Sequence, residues 1–153
     1  MKLTQYLKPE HIFIADTYKS TDDFYAKFSH FLKKDETIND TEKVKRLFIK
    51  RESIQSTALG GGAAAPHIYS DEFQEFLFSL AVIKEGMEYG APDKNKVYLV
   101  FLIMSDDRYV GLHLKTLSRI AKLVLNTDLV EVAKQASSPK DLYDAFIERD
   151  KSF

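Results

Sequence analysis

The sequence predicts an α/β or α+β fold in which helices cover both faces of one β-sheet. Two near-continuous apolar segments, Phe76–Lys84 and Val97–Met104, are rich in Phe, Val and Ile and are typical of strands buried on both faces. Apolar residues at helical spacing lie before and after these segments. The chain has 153 residues, no internal repeat and no long linker, so we expect a single domain spanning residues 1–153.

The N-terminal part of the chain contains a short helix, an extended segment at 11–14 and two longer helices. A polar residue that can cap a helix precedes each of the longer ones. Ser20 or Thr21 suits the first of them, and Asp40 or Thr41 suits the second. Both helices carry apolar residues at 3–4 spacing, so we expect each to pack one face against the sheet.

The C-terminal part alternates strand and helix signals. Glu85-Gly86 and Gly90–Asp93 interrupt the chain between the two predicted strands. Apolar spacing then predicts a helix from about residue 109 to 125 and a short helix near 129–135. Ser138, followed by a proline and an acidic residue, predicts the start of a last helix.

Composition excludes several classes of function. The net charge of −1 favours neither nucleic acid nor an anionic membrane as a partner. The chain has no cysteine, which excludes disulfides, thiolate metal sites and cysteine nucleophiles. No segment resembles a signal peptide, and the apolar run Val97–Met104 is too short to span a bilayer. We therefore expect a cytoplasmic protein that neither binds nucleic acid nor inserts into a membrane.

The segment Ser56–His67 is built to present one imidazole. Gly60–Gly62 can adopt positive φ, three alanines leave the ring unscreened, and Pro66 fixes the backbone before it. Upstream, Arg51-Glu52 lies at the end of the charged second helix. Histidine can form a covalent intermediate, and arginine is well shaped to hold phosphate. The hypothesis is that His67 carries a phosphoryl group; a flexible turn remains the alternative on composition.

The other histidines bear on this hypothesis differently. His113 follows a predicted strand at the start of a helix, where it can line a site; the alternative is an exposed helix-start residue. His11 and His30 lie in ordinary strand and helix patterns and suit surface or core-edge positions. No HxxxH or HxH spacing supports a metal site, and no Gly-Lys-Ser/Thr ending supports a nucleotide loop. A Ser-His-Asp hydrolase lacks its Gly-x-Ser-x-Gly turn.

A spaced set of residues around the two histidine motifs carries a family resemblance. Its members are Arg51-Glu52, Ser56-Thr57, Gly60, Gly62, Ala64 and Pro66-His67, then Glu85–Tyr89 with Val97–Met104, and His113–Ser118. Together they resemble the signature of EIIA domains of the phosphoenolpyruvate-dependent sugar phosphotransferase system. The class is the fructose–mannitol one, which includes the nitrogen-regulatory EIIA proteins. The similarity extends from about Leu3 to Ile147.

Three positions depart from the family pattern. Ala65 stands where a bulkier aliphatic residue is usual, and Gly61 where a polar or charged one is common. Tyr89 replaces an aromatic residue that is often Trp. The first two substitutions could loosen the loop and weaken contacts with partners, but no departure removes a group that phosphoryl transfer needs.

The resemblance implies a mixed β-sheet flanked by helices and the role of a phosphotransferase component. His67 would accept a phosphoryl group at Nε2 from the phosphohistidine of HPr. It would then pass the group to a cysteine of a separate EIIB partner for sugar uptake. The alternative is a regulatory, nitrogen-type protein in which the phosphate on His67 switches binding to target proteins. No cofactor and no metal are expected.

The expected site has three catalytic residues and two further phosphate ligands. His67 attacks, Arg51 balances the charge of the phosphate, and His113 is a second donor. Ser56 or Thr57 could add a hydroxyl. We also expect an exposed apolar rim for partner docking around the histidine, made by Ala63, Ala64, Ile68 and Tyr69, with inward packing of the last two as the alternative.

Overall fold

Six strands form one mixed sheet between two layers of helices in the computed structural model, which describes residues 1–35 and 37–152. The strands are β1 (Ile12–Ala15), β2 (Ala58–Gly60), β3 (Ala63–Ala64), β4 (His67–Tyr69), β5 (Leu77–Met87) and β6 (Val97–Ser105). The helices are α1 (Thr21–Lys34), α2 (Thr41–Ile54), α3 (Val110–Asn126), α4 (Leu129–Gln135) and α5 (Pro139–Asp150). Short 3₁₀ turns cover Leu3–Gln5, Pro9–His11 and Asp107–Tyr109. The predicted fold class is confirmed.

The two long strands form the centre of the sheet. β5 pairs antiparallel with β6 and parallel with β1. The other edge of β6 pairs in parallel with β3 at Leu99–Val100 and then with β4 at Ile103–Ser105. β2 pairs antiparallel with β3. The short strands β3 and β4 therefore follow one another along a single edge of β6.

Two separate cores lie on opposite faces of the sheet, because successive side chains of a strand point to opposite sides. One core joins alternate residues of β5 and β6, such as Ala81 and Val100, to α1 and α2. The other joins the intervening residues, such as Phe78 and Phe101, to α3, α4 and α5. Both central strands are thus buried on both faces, as their composition predicts.

The predicted helix caps are confirmed. Ser20, Asp40 and Ser138 each accept a hydrogen bond, through the side chain, from the backbone N–H three residues later. Each bond satisfies one of the donors that the first helical turn leaves unpaired. Among the described residues, no helix is both long and apolar enough to cross a bilayer.

Two stretches differ from the expectation. β5 does not end before Glu85-Gly86 but continues to Met87, with an irregularity in its pairing to β6 between Val82 and Met87. Gly86 has φ +78°, and a Cβ there would lie 2.8 Å from the ring of Tyr98. The interruption signal marks a bulge within a strand. Residues 58–69 contain three short strands and not only a turn.

A buried carboxylate joins the two ends of the chain. Asp150 is fully buried and pairs with Arg119 of α3 at 2.9 Å. Its other oxygen accepts from the backbone N–H and the hydroxyl of Thr4, at 2.9 and 3.0 Å. Lys2 donates to the backbone carbonyls of Asp150 and Lys151. The first and last turns are therefore held in one network.

Candidate functional site

His67 is the first residue of β4, at the edge of the sheet. The carbonyl of Pro66 accepts from the backbone N–H of Ile103, and His67 is paired with Ile103 in the parallel register. One residue earlier, the N–H of Ala65 donates to the carbonyl of Thr57 at 3.0 Å. Backbone hydrogen bonds on both sides thus hold the Ala65–Pro66 segment between β3 and β4. They fix the backbone position from which the side chain of His67 extends.

The two nitrogens of His67 have different surroundings. The ring is half-buried, and Nδ1 is a buried atom that lacks a hydrogen-bond partner among the described residues. Nε2 is not one of the buried unpaired atoms, and no hydrogen bond joins it to the part of the protein that the structure describes. Nε2 is therefore the nitrogen that faces solvent.

The environment of His67 favours its neutral form. Burial lowers the pKa of the imidazole below its usual value, and the positive charge of Arg51 lowers it further. The backbone of Ala65 acts in the opposite direction, although no hydrogen bond of good geometry joins it to Nδ1. A neutral ring is nucleophilic at Nε2 only in the tautomer that carries its proton on Nδ1, and the backbone of Ala65 is the group that favours a proton on the ring.

Arg51 lies in the last turn of α2, which packs against β4. Its guanidinium donates from Nη1 to the carbonyl of Gln55 at 2.8 Å, and so it helps to satisfy the C-terminal end of the helix. Arg51 and His67 both line a surface depression of about 230 Å³, together with Lys50 and the exposed Ile54. A phosphate bound at Nε2 would therefore form beside a guanidinium.

His113 lies behind His67 in the first turns of α3. The ring centroids of the two histidines are 5.9 Å apart. The side chain of His113 is 1% exposed, so the alternative of an exposed helix-start residue is wrong. Tyr69 stacks on the ring at 4.3 Å and Phe76 meets its plane edge-on at 5.6 Å. Burial, with the neighbouring His67, lowers the pKa of His113 to about 4.

Glu52 holds the end of α2 to the rest of the site. Its carboxylate accepts from the hydroxyls of Tyr25 and Tyr89, at 2.9 and 2.7 Å, and from the backbone N–H of Thr57 at 3.1 Å. The hydroxyl of Thr57 also donates to it. Burial raises the pKa of both phenols well above the usual value, and the charge of Glu52 adds to this shift. Both tyrosines therefore stay protonated and donate.

This buried network was not found from the sequence. In the sequence, Tyr25 reads as one more apolar residue of α1, and Tyr89 is distinguished only as a departure from the family pattern. The signal that could have found the network is a Glu within a turn of the helix end, since a carboxylate so placed needs donors when it is half-buried. The network positions Arg51, the neighbour of Glu52, without touching His67.

The two hydroxyls predicted as phosphate ligands have partners in the protein. Ser56 donates to the carbonyl of Tyr89 at 2.8 Å and accepts from the N–H of Ala58 at 3.2 Å. Thr57 is 6% exposed and is bound to Glu52. Their part in phosphate binding stays a prediction.

The expected docking rim is wrong for three of its four residues. Ala63 and Ala64 are fully buried, and Ile68 is 4% exposed, because β3 and β4 lie beside β6 in the sheet and these side chains join the cores on its two faces. Only Tyr69, at 36% exposure, reaches the surface. The apolar surface near the site is supplied instead by Ile54, which is 73% exposed.

The sequence is similar to proteins of a known family. Residues 5–149 match the family model described as "Phosphoenolpyruvate-dependent sugar phosphotransferase system, EIIA 2". The chain is 26% identical over 151 residues, 99% of its length, to a PTS system fructose-specific EIIABC component of Bacillus subtilis, and it spans only 24% of that protein. It is 27% identical over 97 residues to a nitrogen regulatory protein of Bradyrhizobium diazoefficiens, which covers 63% of each chain.

Solved structures share the fold. Nitrogen regulatory protein IIA-Ntr from Neisseria meningitidis superposes with a TM-score of 0.83 at 23% identity, over 94% of this chain and 98% of that one. IIA mannitol of Escherichia coli, in its complex with phosphorylated enzyme IIB mannitol, gives 0.75 at 17% identity, over 93% of this chain and 97% of that one. The family match covers nearly the whole sequence, and so the chain belongs to the EIIA 2 family of the phosphoenolpyruvate-dependent sugar phosphotransferase system.

Proposed function

We propose that this protein is a phosphocarrier that accepts a phosphoryl group on Nε2 of His67 from an HPr-type donor and passes it to a cysteine of an EIIB partner. The observation that carries the proposal is the state of one ring. His67 has its Nδ1 buried, its Nε2 open to solvent and its pKa lowered, beside the charge of Arg51. In this role the protein works in the cytoplasm.

The chemistry follows from these positions. The lone pair of Nε2 forms a bond to phosphorus while the bond between phosphorus and the donor nitrogen breaks, and that electron pair returns to the donor ring. Charge develops on the equatorial oxygens of the phosphoryl group, so the protein must mainly position and stabilise it. The guanidinium of Arg51 can donate two parallel hydrogen bonds to such oxygens. Buried His113, with its ring centroid 5.9 Å from that of His67, would supply the second contact.

Transfer to the next carrier needs an exposed phosphate and a small docking surface. The shallow depression beside His67 leaves Nε2 accessible, and the exposed Ile54 and Tyr69 offer apolar contacts next to it. Interfaces of transient carriers of this kind bury less than about 1,200 Å². The complex of IIA mannitol with phosphorylated IIB mannitol supports an EIIB domain as the acceptor.

A regulatory role is the second candidate. It is supported by the nitrogen regulatory relatives and by the superposition on IIA-Ntr. In that role the phosphate on His67 would change the local charge and so switch binding to a target protein. The first step, phosphorylation of His67, is the same in both.

The test is incubation with enzyme I, HPr and phosphoenolpyruvate, followed by intact-mass analysis. We expect an acid-labile gain of one phosphoryl group, mapped to His67 and absent in His67→Ala. His30→Ala, which removes an exposed histidine of α1, is the matched control and should label like the wild type. Labelling that survives in His67→Ala would refute the assignment.

A second measurement separates the two candidates. The phosphorylated protein is mixed with an EIIB domain of the fructose–mannitol class, and transfer to its cysteine is followed. Rapid transfer supports the transport role. Stable phosphate on His67 in the presence of several such EIIB domains would favour the regulatory role.

A further inference from the structure

Ser105, the last residue of β6, is fully buried against His113. Its Oγ lies 2.6 Å from Nε2 of His113 and 2.8 Å from the backbone carbonyl of Asp106. The other nitrogen of His113, Nδ1, is buried and has no hydrogen-bond partner among the described residues. Ser105 belongs to none of the sequence motifs described above.

The hydrogen-bond inventory selects one tautomer of His113. A serine hydroxyl has one proton and can donate only once, whereas a carbonyl can only accept. If Ser105 donates to the Asp106 carbonyl, it accepts from Nε2–H of His113, and both contacts are hydrogen bonds. In the other tautomer Ser105 would donate to Nε2, the carbonyl contact would be lost, and Nδ1–H would be a buried donor without an acceptor. Because buried unpaired N–H groups are rare and costly, the first arrangement is favoured.

We infer that Ser105 is a positioning residue: it holds neutral His113 with its proton on Nε2, and His113 takes up a second proton at Nδ1 when His67 is phosphorylated. The inference rests on the proposed function. A hydronium ion of the solvent gives up the proton and leaves as water, the lone pair of Nδ1 forms the new N–H bond, and His113 becomes a cation next to the phosphate. Unprotonated Nδ1 of His113 is an acceptor that would repel phosphate oxygens, and protonation converts it into a hydrogen-bond donor.

The surroundings of His113 make the phosphate the dominant new charge. The titratable side chains that face the ring in the described structure are His67 and Tyr69, both on β4, while Ser105 on β6 and Phe76 before β5 carry no charge. At a separation of about 6 Å and an effective dielectric constant of about 20, each unit of negative charge raises a neighbouring pKa by about 2 units. The pKa of about 4 in the free protein would therefore move toward neutrality.

The experiment is ¹⁵N NMR of the histidine side chains in the full chain, with and without phosphorylation by enzyme I and HPr. In the unphosphorylated wild type at neutral pH, we expect His113 in the Nε2–H tautomer. Ser105→Ala should give a mixture of tautomers and slow phosphoryl acceptance about tenfold. Ser105→Thr keeps the hydroxyl and should restore both properties. Ser79→Ala removes an equally buried hydroxyl, bound to the carbonyl of His11, and should change neither.

Phosphorylation supplies the second readout. The pKa of His113 should rise by about 2 units or more in the phosphorylated wild type. An Nδ1–H tautomer in the free protein, or a wild-type tautomer in folded Ser105→Ala, would overturn the role of Ser105. An unchanged pKa of His113 on phosphorylated protein would overturn proton uptake while leaving the phosphocarrier role intact. If the protein accepts no phosphoryl group, both the proposed function and proton uptake are refuted. The tautomer of His113 in the unphosphorylated protein then still decides the role of Ser105.

Discussion

Replacing Glu52 with alanine tests whether the buried tyrosine network holds the site. The wild-type carboxylate accepts four hydrogen bonds, two from the hydroxyls of Tyr25 and Tyr89 and two from Thr57. In the variant the two phenols can still bond to each other, and the Thr57 hydroxyl still lies 3.2 Å from that of Tyr89. The backbone N–H of Thr57 and one hydroxyl are left without an acceptor.

The cost follows from those two groups. An unsatisfied buried donor destabilises a protein by about 1–3 kcal/mol, so the loss in free energy of unfolding is about 2–6 kcal/mol. For a domain of this size, a loss of about 4 kcal/mol corresponds to a fall in Tm of roughly 8–16 °C. Because Arg51 precedes Glu52 on α2, phosphoryl acceptance by His67 should also slow in the protein that remains folded.

The assay is thermal and urea unfolding of Glu52→Ala beside Glu42→Ala. Glu42 lies in the first turn of the same helix, is 65% exposed and pairs with Lys45 at the surface, so its loss should cost less than about 1 kcal/mol. Equal unfolding midpoints for the two variants would show that the carboxylate of Glu52 is not needed to satisfy its donors, and the reasoning would fail.

Three further variants test the site and the sheet. Arg51→Ala should fold normally but accept phosphate about 10²–10³-fold more slowly, with the pKa of His67 moved up toward its usual value. His113→Gln should alter acid stability. Folded His113 stays neutral to about pH 4 whereas the unfolded residue protonates near pH 6.5, so wild-type stability falls as pH drops through that window, by at most about 1.4 kcal/mol per pH unit, and the variant lacks this component. Gly86→Ala forces a Cβ to within 2.8 Å of a ring at φ +78° and should cost about 1–3 kcal/mol in chemical denaturation.

Each of these variants has a control on the same element or of the same type. Arg46→Ala removes an exposed cation of α2 and should leave phosphoryl transfer unchanged. Equal transfer rates in the two arginine variants would show that Arg51 is an ordinary surface charge with no role in transfer. Gly111→Ala adds a methyl group that meets nothing within 4 Å in α3 and should be neutral or stabilising. Parallel pH–stability curves for wild type and His113→Gln would contradict the buried, neutral state of His113.

Local signals in the sequence predicted the helices well. Ser20, Asp40 and Ser138 act through their own side chains on the backbone three residues ahead, so the information lies within one turn. The two central strands were equally clear, because a strand buried on both faces needs apolar residues throughout. The residues that determine these helices and strands are therefore close to one another in the sequence.

The edge strands and the bulge could not be predicted in this way. β2 and β3 have three and two residues and consist largely of Ala and Gly, which favour no strand, and β4 has only the three residues His67–Tyr69. β3 and β4 are formed by pairing with β6, about 35 residues later in the chain, and β2 is formed by pairing with β3. Gly86 reads as a break because its positive φ is typical of turns, yet pairing resumes at Met87.

The sequence predicted the reactive residues of the candidate site but not the residues that pack against them and hold them in place. His67 and Arg51 stand out by residue type, and the likeness of both histidine motifs to a known family brought in His113. The stacking of Tyr69 on His113 and the serine behind it depend on how β4 and β6 align, which the sequence does not state. The prediction of an exposed docking rim was wrong for a similar reason, because the identity of a small apolar residue does not indicate whether other elements cover it.

The network around Asp150 has a consequence for how the connectivity of the chain can be changed. Lys2 and Thr4 contact the same residue that closes α5, so the two ends emerge side by side. Closely spaced ends are what circular permutation requires. A short peptide could bridge them, new ends could be opened in the turn at 93–95, and the order of strands in space would be unaltered. Modules grafted before Lys2 or after Ser152 would likewise start as neighbours.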